Sequence, residues 1–191
     1  MRHLIAILLQ NEAGALTRVT GLISSRGYNI ESLSVAPTND PTVSRITLVT
    51  TGSDHVIAQI NSQLLKLVDV VAVEDMTSGD HLARELLLIK LQLAAEHVEA
   101  VDSLLRRAGG KVLSTNPSSY IGELTGTESH ISEFIAKIGA FGKIIEVVRS
   151  GVLGISRANP RLHAIKRTLL TRCTIIYPRA MATRSAWFAS T

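Results

Sequence analysis

The chain has one cysteine, Cys173, in 191 residues. No internal disulfide is possible, and the chain is expected to work in the cytoplasm. Long apolar runs are also missing. The longest, such as Leu4–Leu9, fall far short of the roughly 20 residues a spanning helix needs. A secretory signal is not expected either. Gln10-Asn11-Glu12 ends the first apolar run too early, and no small-residue cleavage site follows. Catalytic signatures are absent: there is no Gly-x-x-x-x-Gly-Lys-[Ser/Thr], no Gly-x-Gly-x-x-Gly after a strand and no nucleophile elbow. His3, His55, His81, His97, His130 and His163 are scattered, with no i, i+4 pair and no neighbouring cysteine, which argues against zinc. Cys173 has no nearby base and does not read as a nucleophile. Glu96, His97 and Glu99 read as a solvated helix face. No catalytic residue, metal ligand or cofactor site is therefore expected in this chain.

What remains is a core-forming sequence with an uneven charge. Apolar residues make up 46% and mean hydropathy is +0.24, enough for a real core in one large domain or two small ones. The net charge of +4 conceals two regions. Residues 157–191 hold seven Lys or Arg and no Asp or Glu, which leaves 13 basic and 16 acidic residues in 1–156, a balance of −3. The basic tail has evenly spread arginines and no nucleic-acid motif, so no nucleic-acid partner is expected. Residues 158–191 are expected to be a basic extension, mobile or irregular.

Periodicity gives the same order twice. Leu4–Leu9 reads as a buried strand. Leu16, Val19, Leu22 and Ile23 share a helix face that stops at Gly27. Tyr28–Ala36 is β-like and ends at Pro37, and Pro37–Pro41 is turn chemistry. Val43–Thr51 is rich in β-branched residues. Ser53 or Asp54 caps a helix bearing Ile57, Ile60, Leu64 and Leu67, and Val68–Val73 is a strand. The second half offers a strand at Glu85–Leu93, a helix with Val98, Val101, Leu104 and Leu105, and a hairpin of Lys111–Thr115 and Tyr120–Leu124. A helix capped by Thr127 and a strand at Lys143–Val148 complete it, and Gly151-Val152-Leu153-Gly154 reads as a tight turn. The fold class is α+β: two ferredoxin-like βαββαβ domains in tandem, 1–76 and 82–157, joined by a linker at 77–81. Helices are expected to cover one face of each four-stranded sheet and leave the other open. An open face or unpaired edge invites a second copy, so a homodimer through the first domain is expected.

One loop stands out. Asn11 and Gly14 lie where the first strand passes into a helix, and Asn29 begins the second strand. Alone, Asn11 and Gly14 are explained by a strand end and a tight helix entry. A helix N-terminus, however, offers free N–H groups and a positive dipole end to a carboxylate, and asparagine both donates and accepts. Together they suit a small zwitterion such as an amino acid. In a ferredoxin-like sheet Asn11 and Asn29 lie at opposite ends, so only two copies facing across a two-fold axis would bring them together.

Residues 1–156 closely resemble the small regulatory subunit of acetolactate synthase. The resemblance rests on Asn11-Glu12-Ala13-Gly14-Ala15-Leu16-Thr17-Arg18-Val19 and on Arg26-Gly27-Tyr28-Asn29-Ile30-Glu31-Ser32-Leu33-Ser34-Val35-Ala36-Pro37-Thr38. It continues through Lys66-Leu67-Val68-Asp69-Val70, Ile144-Ile145-Glu146-Val147-Val148-Arg149-Ser150-Gly151 and Gly154-Ile155-Ser156-Arg157. It implies an N-terminal ACT domain, an amino-acid sensor, in branched-chain amino-acid biosynthesis. It implies a dimer that binds the catalytic large subunit, stimulates it and confers feedback inhibition by valine, in some members also leucine or isoleucine. Thiamine diphosphate, Mg²⁺ and FAD would belong to that partner. Carried over by motif, the effector site falls on Asn11, Gly14, Ala15 and Leu16 of one copy and Asn29 and Ile30 of the other. The N–H groups of Gly14, Ala15 and Leu16 would meet the carboxylate. Asn11 and Asn29 would hold the polar end, and Leu16 and Ile30 the branched side chain. Residues 94–120 show little matching motif, and no family role is carried onto 158–191. Two other classes lack the residues they need. The sensor domain of a transcriptional regulator would need a helix-turn-helix, and none is recognised in the sequence. A ferredoxin-like phosphatase would want an arginine in the first loop, and Gln10–Leu16 has none.

Overall fold

Residues 1–157 are described by the computed structural model, and the expectation for 158–191 lies outside them. The first sheet is built from β1 (Arg2–Gln10), β2 (Ile30–Pro37), β3 (Val43–Thr51) and β4 (Val70–Asp75), with α1 (Ala15–Ser25) and α2 (Asp54–Leu64) between strands. All pairings are antiparallel, in the order β2-β3-β1-β4. The second sheet holds β5 (His81–Leu93), β6 (Lys111–Ser114), β7 (Tyr120–Gly126) and β8 (Gly142–Arg149), ordered β6-β7-β5-β8. Its helices are α3 (Val98–Arg107) and α4 (Glu128–Ile138), and β9 (Leu153–Ser156) also pairs with β5. Two βαββαβ units in an α+β fold are thus present.

The local signals act as the residues suggest. Gly27 closes α1: its N–H donates to the Ser24 carbonyl at 2.9 Å, and that of Tyr28 to Ile23 at 3.3 Å. Gly109 and Gly110 close α3 by the same pair of bonds, to Arg106 and Leu105. Thr127 Oγ1 accepts from the His130 N–H at 3.3 Å and caps α4. Ser53 takes the cap position of α2, but its hydroxyl makes no capping bond, and Asp54 is the first helical residue.

Each sheet packs its helices on one face. Ile5, Ile7, Leu9, Ile46 and Leu48 form one core with Val19, Ile23, Ile57, Ile60 and Leu64. Leu87, Ile89, Leu91, Tyr120 and Leu124 form another with Val101, Leu105, Ile131, Phe134 and Ile138.

The opposite face of the first sheet is not open. Leu4, Ala6 and Leu8 are buried as well, so β1 is covered on both sides from His3 to Leu9. Met76 and β9 supply part of that cover. Gly154 lies against Met76 and Leu4, and Arg45 Nη2 donates to the Gly154 carbonyl at 2.8 Å. The tight turn expected at 151–154 is confined to its first residues. Gly151 has φ 75, and the chain then runs straight as β9, pairing Leu153–Ser156 with Arg84–His81. β5 therefore begins four residues before the expected Glu85. Four residues with a glycine among them show too little alternation to signal a strand. Likewise β4 runs Val70–Asp75 rather than Val68–Val73: Val68 is exposed, while Asp69 turns inward.

A Cβ on Gly110 would stand 2.6 Å from the Glu123 carbonyl oxygen and press on Leu105. Gly110→Ala is therefore expected to cost about 1–3 kcal/mol, read as a lower urea midpoint at unchanged slope.

Candidate functional site

The loop after β1 is braced from both sides. The Asn11 N–H donates to the Thr42 carbonyl at 2.8 Å, and Asn11 Nδ2 to the Pro41 carbonyl at 3.0 Å. These bonds tie it to the β2–β3 turn. On the other side the Asp69 carbonyl accepts from the Gln10 N–H at 2.8 Å. The Asp69 carboxylate takes a two-pronged bond from Arg18, Nε to Oδ2 at 2.5 Å and Nη2 to Oδ1 at 2.9 Å. That hydrogen bonding holds the Asp69 carboxyl below its ordinary range and raises Arg18. Asp69 thus clamps both the end of β1 and the first turn of α1.

Gly14 stands just before α1 with φ 82, a left-handed conformation that a side chain rarely adopts. Arg18 Nη1 would lie 3.1 Å from a Cβ placed there. Of the three amides expected at a carboxylate, that of Ala15 already donates to Glu12 at 3.2 Å. Those of Gly14 and Leu16 donate to no backbone carbonyl among the described residues. Ala15 is buried, and Leu16 is 38% exposed. One rim of the loop therefore offers two N–H groups at a positive helix end, one amide oxygen (Asn11 Oδ1) and one apolar side chain.

Asn29 and Ile30 lie at the far end of the sheet. Ile30 is level with Thr50, and Thr50 with His3, whereas Gln10 is level with Val43. Seven residues of strand at about 3.3 Å each separate the two ends, roughly 23 Å. Asn29 is exposed, its carbonyl accepting from Thr50 Oγ1 at 2.6 Å, and Ile30 packs half-buried on the core. The six residues thus fall into two groups, and one chain does not bring them together. Asp69 and Arg18 escaped the sequence reading as braces. A lone acid inside the apolar run Leu67–Val73 was the available signal.

Among the described residues no three His, Cys, Asp or Glu cluster as for a metal. No helix among them is long and apolar enough to cross a membrane.

Two family models match the chain, the small-subunit-like ACT domain of acetohydroxyacid synthase over residues 5–72 and the small subunit of acetolactate synthase over 84–158. The small subunit of acetolactate synthase isozyme 3 from Escherichia coli K12 is 46% identical over 159 residues, 83% of this chain and 98% of that one. The chain belongs to the acetolactate synthase small-subunit family. The small subunit from Haemophilus influenzae is 39% identical over 162 residues, 85% of this chain and 99% of that one. The crystal structure of the small subunit from Thermotoga maritima aligns with a TM-score of 0.77 at 30% identity, covering 83% of this chain and 99% of that one. Membership makes the first sheet, with α1 and α2, an ACT domain and places the chain among small, regulatory subunits.

The Arg18–Asp69 clamp has a pH signature. Asp69 titrates below its ordinary value of 3.8 when folded, so its contribution is present above that pH and lost as pH falls through the lower, folded pKa. Asp69→Asn is expected to lower the urea midpoint at pH 7, with the gap to the unaltered protein closing below pH 3.8. A constant gap across the acid series would remove the clamp from the account.

Proposed function

We propose that the chain binds the catalytic subunit of acetolactate synthase, stimulates it and makes it sensitive to valine held between two ACT domains. The observation that carries this reading is the separation of the two half-sites. The loop half offers the Gly14 and Leu16 amides to a carboxylate, with Asn11 Oδ1 left to accept from an ammonium while its Nδ2 is held by Pro41. The other half, Asn29 and Ile30, sits at the start of an edge strand whose outer side is unpaired among the described residues. Two copies related by a two-fold axis would place each loop against the other copy's β2, and each ligand would be enclosed by both. Leu16 and Ile30 then meet a branched aliphatic side chain. The acetolactate chemistry would stay with the catalytic subunit and its thiamine diphosphate, Mg²⁺ and FAD. This chain would act in the cytoplasm through the difference in effector affinity between two states of the complex.

Reconstitution with the cognate catalytic subunit tests the proposal directly. Acetolactate formation is expected to rise on adding this chain and to fall again with valine. Gly14→Asp puts a side chain at a left-handed position and a negative charge beside the carboxylate. It is expected to abolish valine binding in calorimetry and the inhibition with it. Absence of both stimulation and valine response in the unaltered complex would sink the proposal.

The shared site makes a sharper forecast. Asn11→Ala and Asn29→Ala are each expected to lose valine binding when pure. In a mixed dimer one site gathers both lesions and the other has none. Co-refolding is therefore expected to restore about a quarter of the sites in a statistical mixture. A site contained in one chain would show no recovery.

A further inference from the structure

Two consecutive residues at the start of β2 lead toward the second unit, Glu31 through Arg2 and Ser32 directly. Glu31 is the residue skipped where the β2–β3 register shifts between Ile30 and Ser32. A bulge of this kind re-aims a side chain out of the strand's alternation. The Glu31 carboxylate accepts from Thr51 Oγ1, and from Arg2 Nε at 2.7 Å. These two bonds hold it below the usual carboxylate range. The other arm of the same guanidinium, Nη1, lies 2.6 Å from Glu128 Oε2. Glu128 is the first residue of α4, so one arginine on β1 is shared between the edge strand of the ACT sheet and a helix of the second sheet. One residue further on, Ser32 Oγ accepts from the Val152 N–H at 3.1 Å, in the turn that leads to β9.

The three charged side chains are 34–42% exposed. Exposed pairs of this kind contribute little to stability. What the bridge does hold is position, because a planar guanidinium that serves two carboxylates constrains where both can lie. Glu31 is joined directly to Ile30. Any ligand that presses on Asn29 and Ile30 acts on the bulge that aims this carboxylate.

We propose that the Glu31–Arg2–Glu128 bridge links occupancy at Asn29 and Ile30 to the second sheet. The proposal rests on the effector reading above. A bound amino acid favours one setting of the bulge, Arg2 keeps or loses its second carboxylate accordingly, and the start of α4 moves with it. Arg2, Glu31 and Glu128 are positioning residues in this scheme and touch no ligand.

The test uses the full chain with its catalytic subunit. Glu128→Gln removes the distal charge at an exposed position. Its valine affinity, measured by calorimetry on the regulatory chain, is expected to stay within about twofold of the unaltered value, as for separated sites. Stimulation of acetolactate formation should persist. The inhibition reached at saturating valine should be largely lost, because occupancy no longer reaches the second sheet. Arg2→Met should behave alike, and Arg2→Lys should fall between, since an ammonium keeps the charge without the fork. Unchanged inhibition in both Glu128→Gln and Arg2→Met, with valine bound normally, overturns the bridge. Loss of calorimetric binding in Glu128→Gln also overturns it, because the residue would then support the site itself. Failure of the unaltered chain to bind valine is a separate result. It sinks the effector reading, and the bridge falls with it.

Discussion

The structure depends on β1 being buried on both faces. From His3 to Leu9 no side chain of this strand is exposed. One face is met by α1 and α2, as helices meet any ferredoxin-like sheet. The other needs a cover that the first βαββαβ unit does not contain. Met76 and β9 supply part of it, with Gly154, paired to Ala83, close against Leu4. The same constraint joins the two sheets. An apolar stripe left in water would cost roughly 25 cal/mol per Å², and its removal draws the end of the second unit onto the first.

The sheet that results is also a spacer. Antiparallel register holds the Asn11 loop at one end of β1 and Asn29 at the level of the other. One chain does not bring the two groups together. The loop is held by Pro41, Thr42 and the Arg18–Asp69 clamp, so its donors are in place before a ligand arrives. Preorganisation of this kind lowers the entropic cost of binding. At the opposite end, Glu31 and Ser32 connect the second group to α4 and to the turn before β9. The proposed site, shared by two copies and tied through Arg2 to α4 of each, would have the layout a regulatory subunit requires.

Most elements were legible because each carries a local signal. Val43–Thr51 was read to the residue from its β-branched run, and the glycine that closes α1 and the threonine that caps α4 act through bonds made within a few residues. The site residues were legible as a motif, though not their braces. Arg18 and Asp69 are 51 positions apart, and nothing in either segment says that they meet. β9 was missed for a related reason. Its existence depends on the first four residues of β5 and on the bare face of a sheet far earlier in the chain.

The sequence by itself determined the two βαββαβ orders, the family, the Asn11–Leu16 and Asn29–Ile30 motifs, and the division of charge between residues 1–156 and 157–191. These follow from periodicity, capping and short motifs, whose physics acts over a few residues. Only the tertiary structure decided that the second face of β1 is covered, that Asp69 clamps the loop, and that Arg2 serves Glu31 and Glu128 at once. Those contacts join residues tens of positions apart. The clamp closes within the first unit, and the cover of β1 and the Arg2–Glu128 contact join the two units; no local pattern encodes either.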